Sequence, residues 1–464
     1  MIRPFFWTFV NTGGSQIISF VAVMLIARIG TPEDFGLIAI ASAIILLMNV
    51  LSEAGLVSTI ILDDEFREDK ASTILWLSTC LAVMGYIFIS FSADIIGQFF
   101  NMPELGILLP IMAISCIATS LGNVHAALIT RRLKFDRKAL LSLSASFISA
   151  VIGVGVAFEA SPLSGLVTIF VLTPVLLSLF MWVFVPWRVQ FLCKPNLIIG
   201  DLPFAANISL TNLIDQGFKS SIPLLIGQRY DAVTLGYFNR AEAVKNIAGQ
   251  SIEKIINKVS FPLLSQSRRA DEEQSWSHHI IISQGLLFFL LPLVWLFYKY
   301  SSSIIEILFG PDWSASGAIL SILIFGAIFV PLTSLNLTLL KSYGKTFFAL
   351  SLKAFSLIFV LVLFKLIPMP SFEATLRALV WFLAFQYVVS IIGLALIPNF
   401  TMANYLTRTF CCAGILVASL IVYELSAKFV LEIQILNLFA HGALLFFISS
   451  AFLLLFFRIA DNAK

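Results

Sequence analysis

The chain has 464 residues, 59% of them hydrophobic and only 12% charged, with a mean hydropathy of +0.97 and a formal net charge of +3. So little polar surface cannot cover a soluble globule, which makes a lipid bilayer the solvent for most of the chain. The small positive balance is dispersed among short connections, which argues against a nucleic-acid surface.

A helix needs about 20 mostly apolar residues to cross the hydrocarbon layer. Fourteen such stretches follow one another, at roughly 8–28, 36–57, 72–92, 106–129, 139–158, 163–185, 204–226, 236–262, 279–298, 317–340, 347–367, 377–397, 408–426 and 435–457. The expected fold is an all-α integral membrane protein. No A-x-A-like cleavage site follows the first apolar run, and the polar TPED turn leads straight into the next, so the first stretch is expected to be an uncleaved helix.

Span one carries Asn11, Ser15 and Ser19 at four-residue steps, and span two carries Ser42, Asn49 and Glu53 on one face. The inner loop Arg131–Lys138, RRLKFDRK, reads as topology and attraction to anionic lipid, with a headgroup-docking role as the sharper alternative. The largest gap, from about residue 186 to 203, holds some eighteen residues and no room for a soluble domain. Span seven places Asn207, Thr211, Asp215 and Lys219 at four-residue steps, so that Asp215 and Lys219 can pair. On span eight, Asn239, Glu242, Asn246, Gly249, Glu253 and Asn257 recur at three- and four-residue steps, which stacks them on one helix face. Such a stripe is either a polar seam between helices or the wall of a water-filled cavity, and the two carboxylates on it favour the wall.

Basic residues set orientation, because Lys and Arg stay on the cytoplasmic side. With the N-terminus inside, the inner segments hold seventeen of them, whereas the outer connections show Arg229, Lys299, Lys365 and Lys428, with Arg28 at a span end. Both termini are therefore expected in the cytoplasm.

The chain is also duplicated. The stretch LIARIGTPEDFGLIAIASA from Leu25 returns two hundred residues later as LLIGQRYDAVTLGYFNRAEA, with Phe35-Gly36 on Leu235-Gly236 and Glu53 on Glu253. A second echo matches ADIIGQFFNMPELG with SSSIIEILFGPDWSASG. Six spans per copy is an even number, so the copies share one orientation and are related by a pseudo-two-fold axis along the membrane normal. The expected divisions are 1–200 and 201–400, each a six-helix lobe, and 401–464 with two additional helices and a cytoplasmic tail.

Charged side chains inside spans are costly in hydrocarbon and mark function. Lys219, Arg240, Lys245 and Lys353 lie deep or near the polar stripe and are candidates to offset an anionic substrate, phosphate above all, with Asn239, Asn246 and Asn49 as polar contacts. Glu53, Asp215, Glu242 and Glu253 are candidates for coupling or gating, by binding a proton or cation. The Asp215–Lys219 pair has a plainer alternative, an internal salt bridge that only positions its helix. His125, His278, His279 and His441 lack ligand spacing, and no metal or other cofactor is expected. No G-x-x-x-x-G-K-[ST] pattern occurs, so this polypeptide shows no sign of ATP hydrolysis, and the absence of an outer catalytic loop argues against an enzyme.

The runs ARIGTPEDFGLIAIA, SEAGL (Ser52–Leu56), LGYFNRAE (Leu235–Glu242), FPLLSQ (Phe261–Gln266) and FGPDWSASG (Phe309–Gly317) together resemble the polysaccharide-transporter, Wzx-type flippase family. That family belongs to the multidrug/oligosaccharidyl-lipid/polysaccharide exporter superfamily, and the likeness is to its colanic-acid and exopolysaccharide branch, over about residues 1 to 400. The resemblance implies two six-helix lobes around a cationic cavity. It further implies alternating-access transfer of an undecaprenyl-diphosphate-linked oligosaccharide from the cytoplasmic to the periplasmic leaflet of the bacterial inner membrane, for exopolysaccharide or O-antigen-type glycan synthesis. Polymerase and chain-length proteins of the same pathway are the implied partners, besides the glycolipid and membrane lipids. A small-molecule cation antiporter of the related multidrug branch is the alternative.

Overall fold

The computed structural model describes residues 2–397 apart from 54, 63–65, 192–193, 367–370 and most of 250–271, together with 405–407, 409 and 414. Span fourteen, span thirteen apart from 409 and 414, His441, Lys254, Lys258 and Asn257 lie outside the described residues.

Backbone amides in hydrocarbon have no water to bond, so an apolar run satisfies them internally as helix. In the first half the helices are α1 Ile2–Ala27, α2 Pro32–Glu53, α3 Leu56–Leu62, α4 Glu68–Phe100, α5 Leu105–Arg131, α6 Phe135–Glu159 and α7 Pro162–Phe184. The second half contributes α8 Leu202–Arg229, α9 Ala232–Ala248, α10 Glu272–Lys299, α11 Ser301–Phe309, α12 Ser314–Leu323, α13 Gly326–Ser342, α14 Thr346–Leu366 and α15 Phe372–Leu394. Among the described residues, nine helices are long and apolar enough to cross a membrane, or ten if α12 and α13 form one bent span. Helix α8 is not among them, although 28 residues would suffice in length. The reason is its polar stripe.

Two predicted spans are interrupted. Span two ends at Gly55, whose φ of +64° no helical residue adopts, and the chain restarts as α3. Span ten breaks between Leu323 and Gly326 with a 45° bend. There the amides of Ala327 and Ile328 turn back to Ile324 O and Phe325 O in tight three-residue steps. Pro331 has no N–H to give the carbonyl of residue 327, so the following turn cannot pull the chain straight.

The contacts gather residues 1–239 with 353–367 in one compact unit and 240–352 with 368–464 in another. The first unit therefore contains α1–α8, the start of α9 and most of α14. In it, the segment after α7 is strapped to the first turns of α4. Trp76 Nε1 donates to Gln190 O at 3.0 Å, Gln190 N to Ser72 Oγ at 3.0 Å and Lys194 N to Thr73 Oγ1 at 3.1 Å. Lys70 closes the strap on Asp201, at the head of α8, at 2.6 Å. The position of α8 is thus fixed from its first residue.

The duplication is visible in space. Both copies of the repeated turn cap a helix, with the residue types exchanged. Thr31 N donates to Asp34 Oδ2 at 2.9 Å and Asp34 N to Thr31 Oγ1 at the start of α2, whereas at α9 Asp231 Oδ1 accepts from Thr234 N at 2.7 Å. The two turns also meet. A Cβ on Gly36 would lie 1.9 Å from Ala232 O, and one on Gly236 would lie 1.7 Å from Pro32 O. Residue 36 approaches 232 while 236 approaches 32, the reciprocal pattern of a two-fold contact. Only glycine fits there. Further along, Gly227 faces Ile40 and Ser220 Oγ donates to Ala43 O at 3.0 Å, so α2 and α8 pack along a shared seam.

In the second unit the core is leucine-rich, drawn from α10, α13 and α15. A fully buried polar knot crosses it: Asn336 Nδ2 donates to Ser390 Oγ at 2.9 Å, and the His279 ring stacks on Tyr405 at 5.6 Å.

Candidate functional site

Within the first unit, the structure assembles one ionic cluster from the predicted residues. Asp215 sits at the middle of α8 and uses both carboxylate oxygens. Lys219, one turn further on, donates from Nζ to Oδ2 at 2.8 Å, and Lys353 of α14 donates to Oδ1. The sequence offered the first pairing by its i,i+4 spacing. The second joins residues 138 positions apart, and no local pattern signals it.

At the corresponding crossing in the first repeat, the described contact is between neutral side chains. Ser15, two hundred positions before Asp215, meets Ser142 of α6 through their hydroxyls at 3.3 Å. Helix α6 covers the fifth predicted stretch and α14 the eleventh, which is the register expected of a six-stretch repeat. One copy closes the crossing with neutral hydroxyls and the other with a net charge of +1.

Glu53, at the end of α2, accepts from Asn123 Nδ2 of α5 at 3.3 Å, and among the described residues no ion pair reaches it. Asn123 was not singled out in the sequence, although its place among the small and hydroxyl residues of α5 is a detectable signal. Asn49, one turn earlier on α2, is half-buried, and its Oδ1 has no hydrogen-bond partner among the described residues. Asn239, the last residue of this unit's first segment, is half-buried as well.

In the second unit, Glu242 and Lys245 of α9 pair with each other at 3.2 Å. Arg240 is only 8% exposed, and its guanidinium lies 5.7 Å from the ring centroid of Phe309. This contact joins two of the motifs read from the sequence, LGYFNRAE and FGPDWSASG, and makes Arg240 part of the packing of the unit. Asn246 is half-buried with Oδ1 lacking a hydrogen-bond partner among the described residues. Gly249 on the same stripe lies against α13, where an added Cβ would stand 3.2 Å from Ala327 Cα. At that level the stripe is a seam between helices. Glu253 is half-buried, and its amide bonds Gly249 O at 3.0 Å. Among the described residues no group of three or more His, Cys, Asp or Glu side chains could hold a metal ion.

Long apolar helices that carry few charged side chains define an all-α, multi-pass membrane protein. A family model described as polysaccharide biosynthesis protein matches residues 25–318, and the chain belongs to that family. It is 25% identical over 344 residues to the succinoglycan biosynthesis transport protein ExoT of Rhizobium meliloti, covering 73% of this chain and 68% of that protein. It is 22% identical to the teichuronic acid biosynthesis protein TuaB of Bacillus subtilis (73% and 70% covered) and 22% identical to the lipopolysaccharide biosynthesis protein WzxC of Escherichia coli (65% and 62%). These relatives bear out the resemblance to Wzx-type polysaccharide transporters. Among solved structures, the fold is similar to that of the lipid II flippase MurJ in an inward closed conformation, with a TM-score of 0.78, 15% identity and coverage of 98% of this chain and 99% of that one. An inward-facing multidrug transporter of the MATE family is also similar, with a TM-score of 0.59, 13% identity and coverage of 86% and 96%.

Proposed function

We propose that the chain is a flippase that carries a lipid-linked, diphosphate-bearing oligosaccharide from the cytoplasmic to the periplasmic leaflet of the bacterial inner membrane. Two six-helix halves, 1–200 and 201–400, alternate access to a polar path between them, and 401–464 adds two further helices. The observation that carries this reading is the Asp215 cluster: two ammonium groups on one carboxylate, midway along a helix too polar to face lipid. A headgroup crossing bare hydrocarbon meets a barrier of at least several kcal/mol, and donors with hydrogen atoms to spare lower it. Lys219 and Lys353 are the headgroup donors in this reading, with Asn49 available to sugar hydroxyls and Glu53 as the coupling carboxylate. A multidrug cation antiporter calls for a net negative cluster to attract its cargo, whereas the Asp215 cluster carries two lysines and is net positive.

The test is transfer of a fluorescent prenyl-diphosphate-linked saccharide between leaflets of reconstituted vesicles. Each charge-assisted hydrogen bond is worth about 1.5–3 kcal/mol, so Lys219→Ala and Lys353→Ala should each slow transfer by about tenfold or more. Transfer at the unmodified rate in both variants would reject the reading.

A further inference from the structure

Both oxygens of the Asp215 carboxylate are engaged. Asp215 gives one oxygen to each lysine, and the side chains of Asp215 and Lys353 are 33% and 32% exposed, that of Lys219 53%. An ammonium has three N–H groups, and each lysine spends one on this carboxylate. We infer that Asp215 is a built-in substitute for the substrate's phosphate: it holds Lys219 and Lys353 in place when the site is empty and competes with the headgroup for them when it is occupied. The inference deepens the proposed function and rests on it.

The physical argument is one of competition. Two lysines facing each other without an anion would repel and would each carry the cost of partial removal from water. A carboxylate with two oxygens relieves both at once and leaves one positive charge to attract an incoming anion. A phosphate-bearing headgroup brings more negative charge and more acceptor oxygens than the carboxylate, so it takes the remaining N–H groups and draws the ammoniums from Asp215. The return of the carboxylate then drives release. In the first repeat the same crossing is closed by Ser15 and Ser142, so packing alone does not require an ion there. Asp215 in this scheme is a positioning and affinity-setting residue for the two lysines.

The experiment measures binding of inorganic pyrophosphate and, in parallel, farnesyl diphosphate to the purified full-length protein in zwitterionic nanodiscs, alongside the vesicle transfer rate. Asp215→Asn should bind both probes about tenfold more tightly than the unmodified protein and transfer the glycolipid more slowly, because release is impaired. Tighter binding of farnesyl diphosphate than of pyrophosphate identifies a lipid-borne headgroup as the natural occupant, and the reverse order identifies a soluble phosphate compound and overturns the lipid assignment. Asp215→Ser, which leaves the hydroxyl found in the first repeat, should behave as Asp215→Asn does and serves if the asparagine variant does not fold. Unchanged or weaker binding in these variants, with Lys219→Ala and Lys353→Ala still weakening binding, overturns the inference and leaves the proposed function intact. Lysine variants that change neither binding nor transfer overturn both.

Discussion

Replacing Gly36 by alanine tests the reciprocal contact between the repeated turns. The new Cβ would stand 1.9 Å from Ala232 O, where ordinary contacts lie at 3.4–4 Å, so the two backbones must part by about 1.5–2 Å. Neither neighbour is a side chain that could rotate away. Overpacking of this kind costs about 1–3 kcal/mol, which should lower the apparent melting temperature of the purified protein by about 1–3 °C. Gly236→Ala strains the same pair of helix ends from the other side, with its Cβ 1.7 Å from Pro32 O. Once the ends have parted for one substitution, the second finds its space already open. The double variant should therefore lose much less than the sum of the singles, because the sites are directly coupled. Gly155→Ala on α6, with nothing within 4 Å of its Cβ, is the control and should be neutral or slightly stabilising. Single variants that melt with this control, or a double variant whose loss equals the full sum, would refute the close-approach argument.

Three further outcomes follow from individual contacts. Asn336→Ala removes a fully buried amide that bonds Ser390 at 2.9 Å and should cost about 2–4 kcal/mol, read as a fall in thermal stability; a stability loss below about 0.5 kcal/mol would contradict the buried network. Arg131→Ala deletes the bond from its guanidinium to Ile60 O at 2.7 Å and should destabilise by about 1.5–3 kcal/mol, with Arg131→Lys only partly restoring it; full recovery with lysine would show that charge alone matters. Glu53→Gln keeps the bond to Asn123 while removing the ionisable group, so transfer in vesicles should lose its response to an imposed proton gradient; an unaltered response would exclude Glu53 from coupling.

Much of the architecture was legible because hydropathy and helix period act locally. The predicted stretch 204–226 became Leu202–Arg229, and 139–158 became Phe135–Glu159. The four-residue spacing of Asp215 and Lys219 gave a real ion pair. What stayed hidden depends on partners far away in sequence. Nothing near Lys353 says that it will meet Asp215, and nothing near Arg240 says that Phe309 will cover it. The break at 323–326 also stays hidden, since the window around it is apolar on average and a hydropathy average cannot see a bend. Gly36 and Gly236 show an intermediate case: the repeat placed them in register, but only the folded chain shows that the registered pair touches its own copy's partner.

The matched crossings, Ser15 on Ser142 and Asp215 on Lys353, show how a gene-doubled scaffold escapes its own symmetry. Each pair joins its own two helices, so mutation can redraw one crossing without touching the other. In the proposed flippase, a cargo with a single anionic end has one preferred side to grip, and the direction of its passage is written into side chains laid on a repeated backbone.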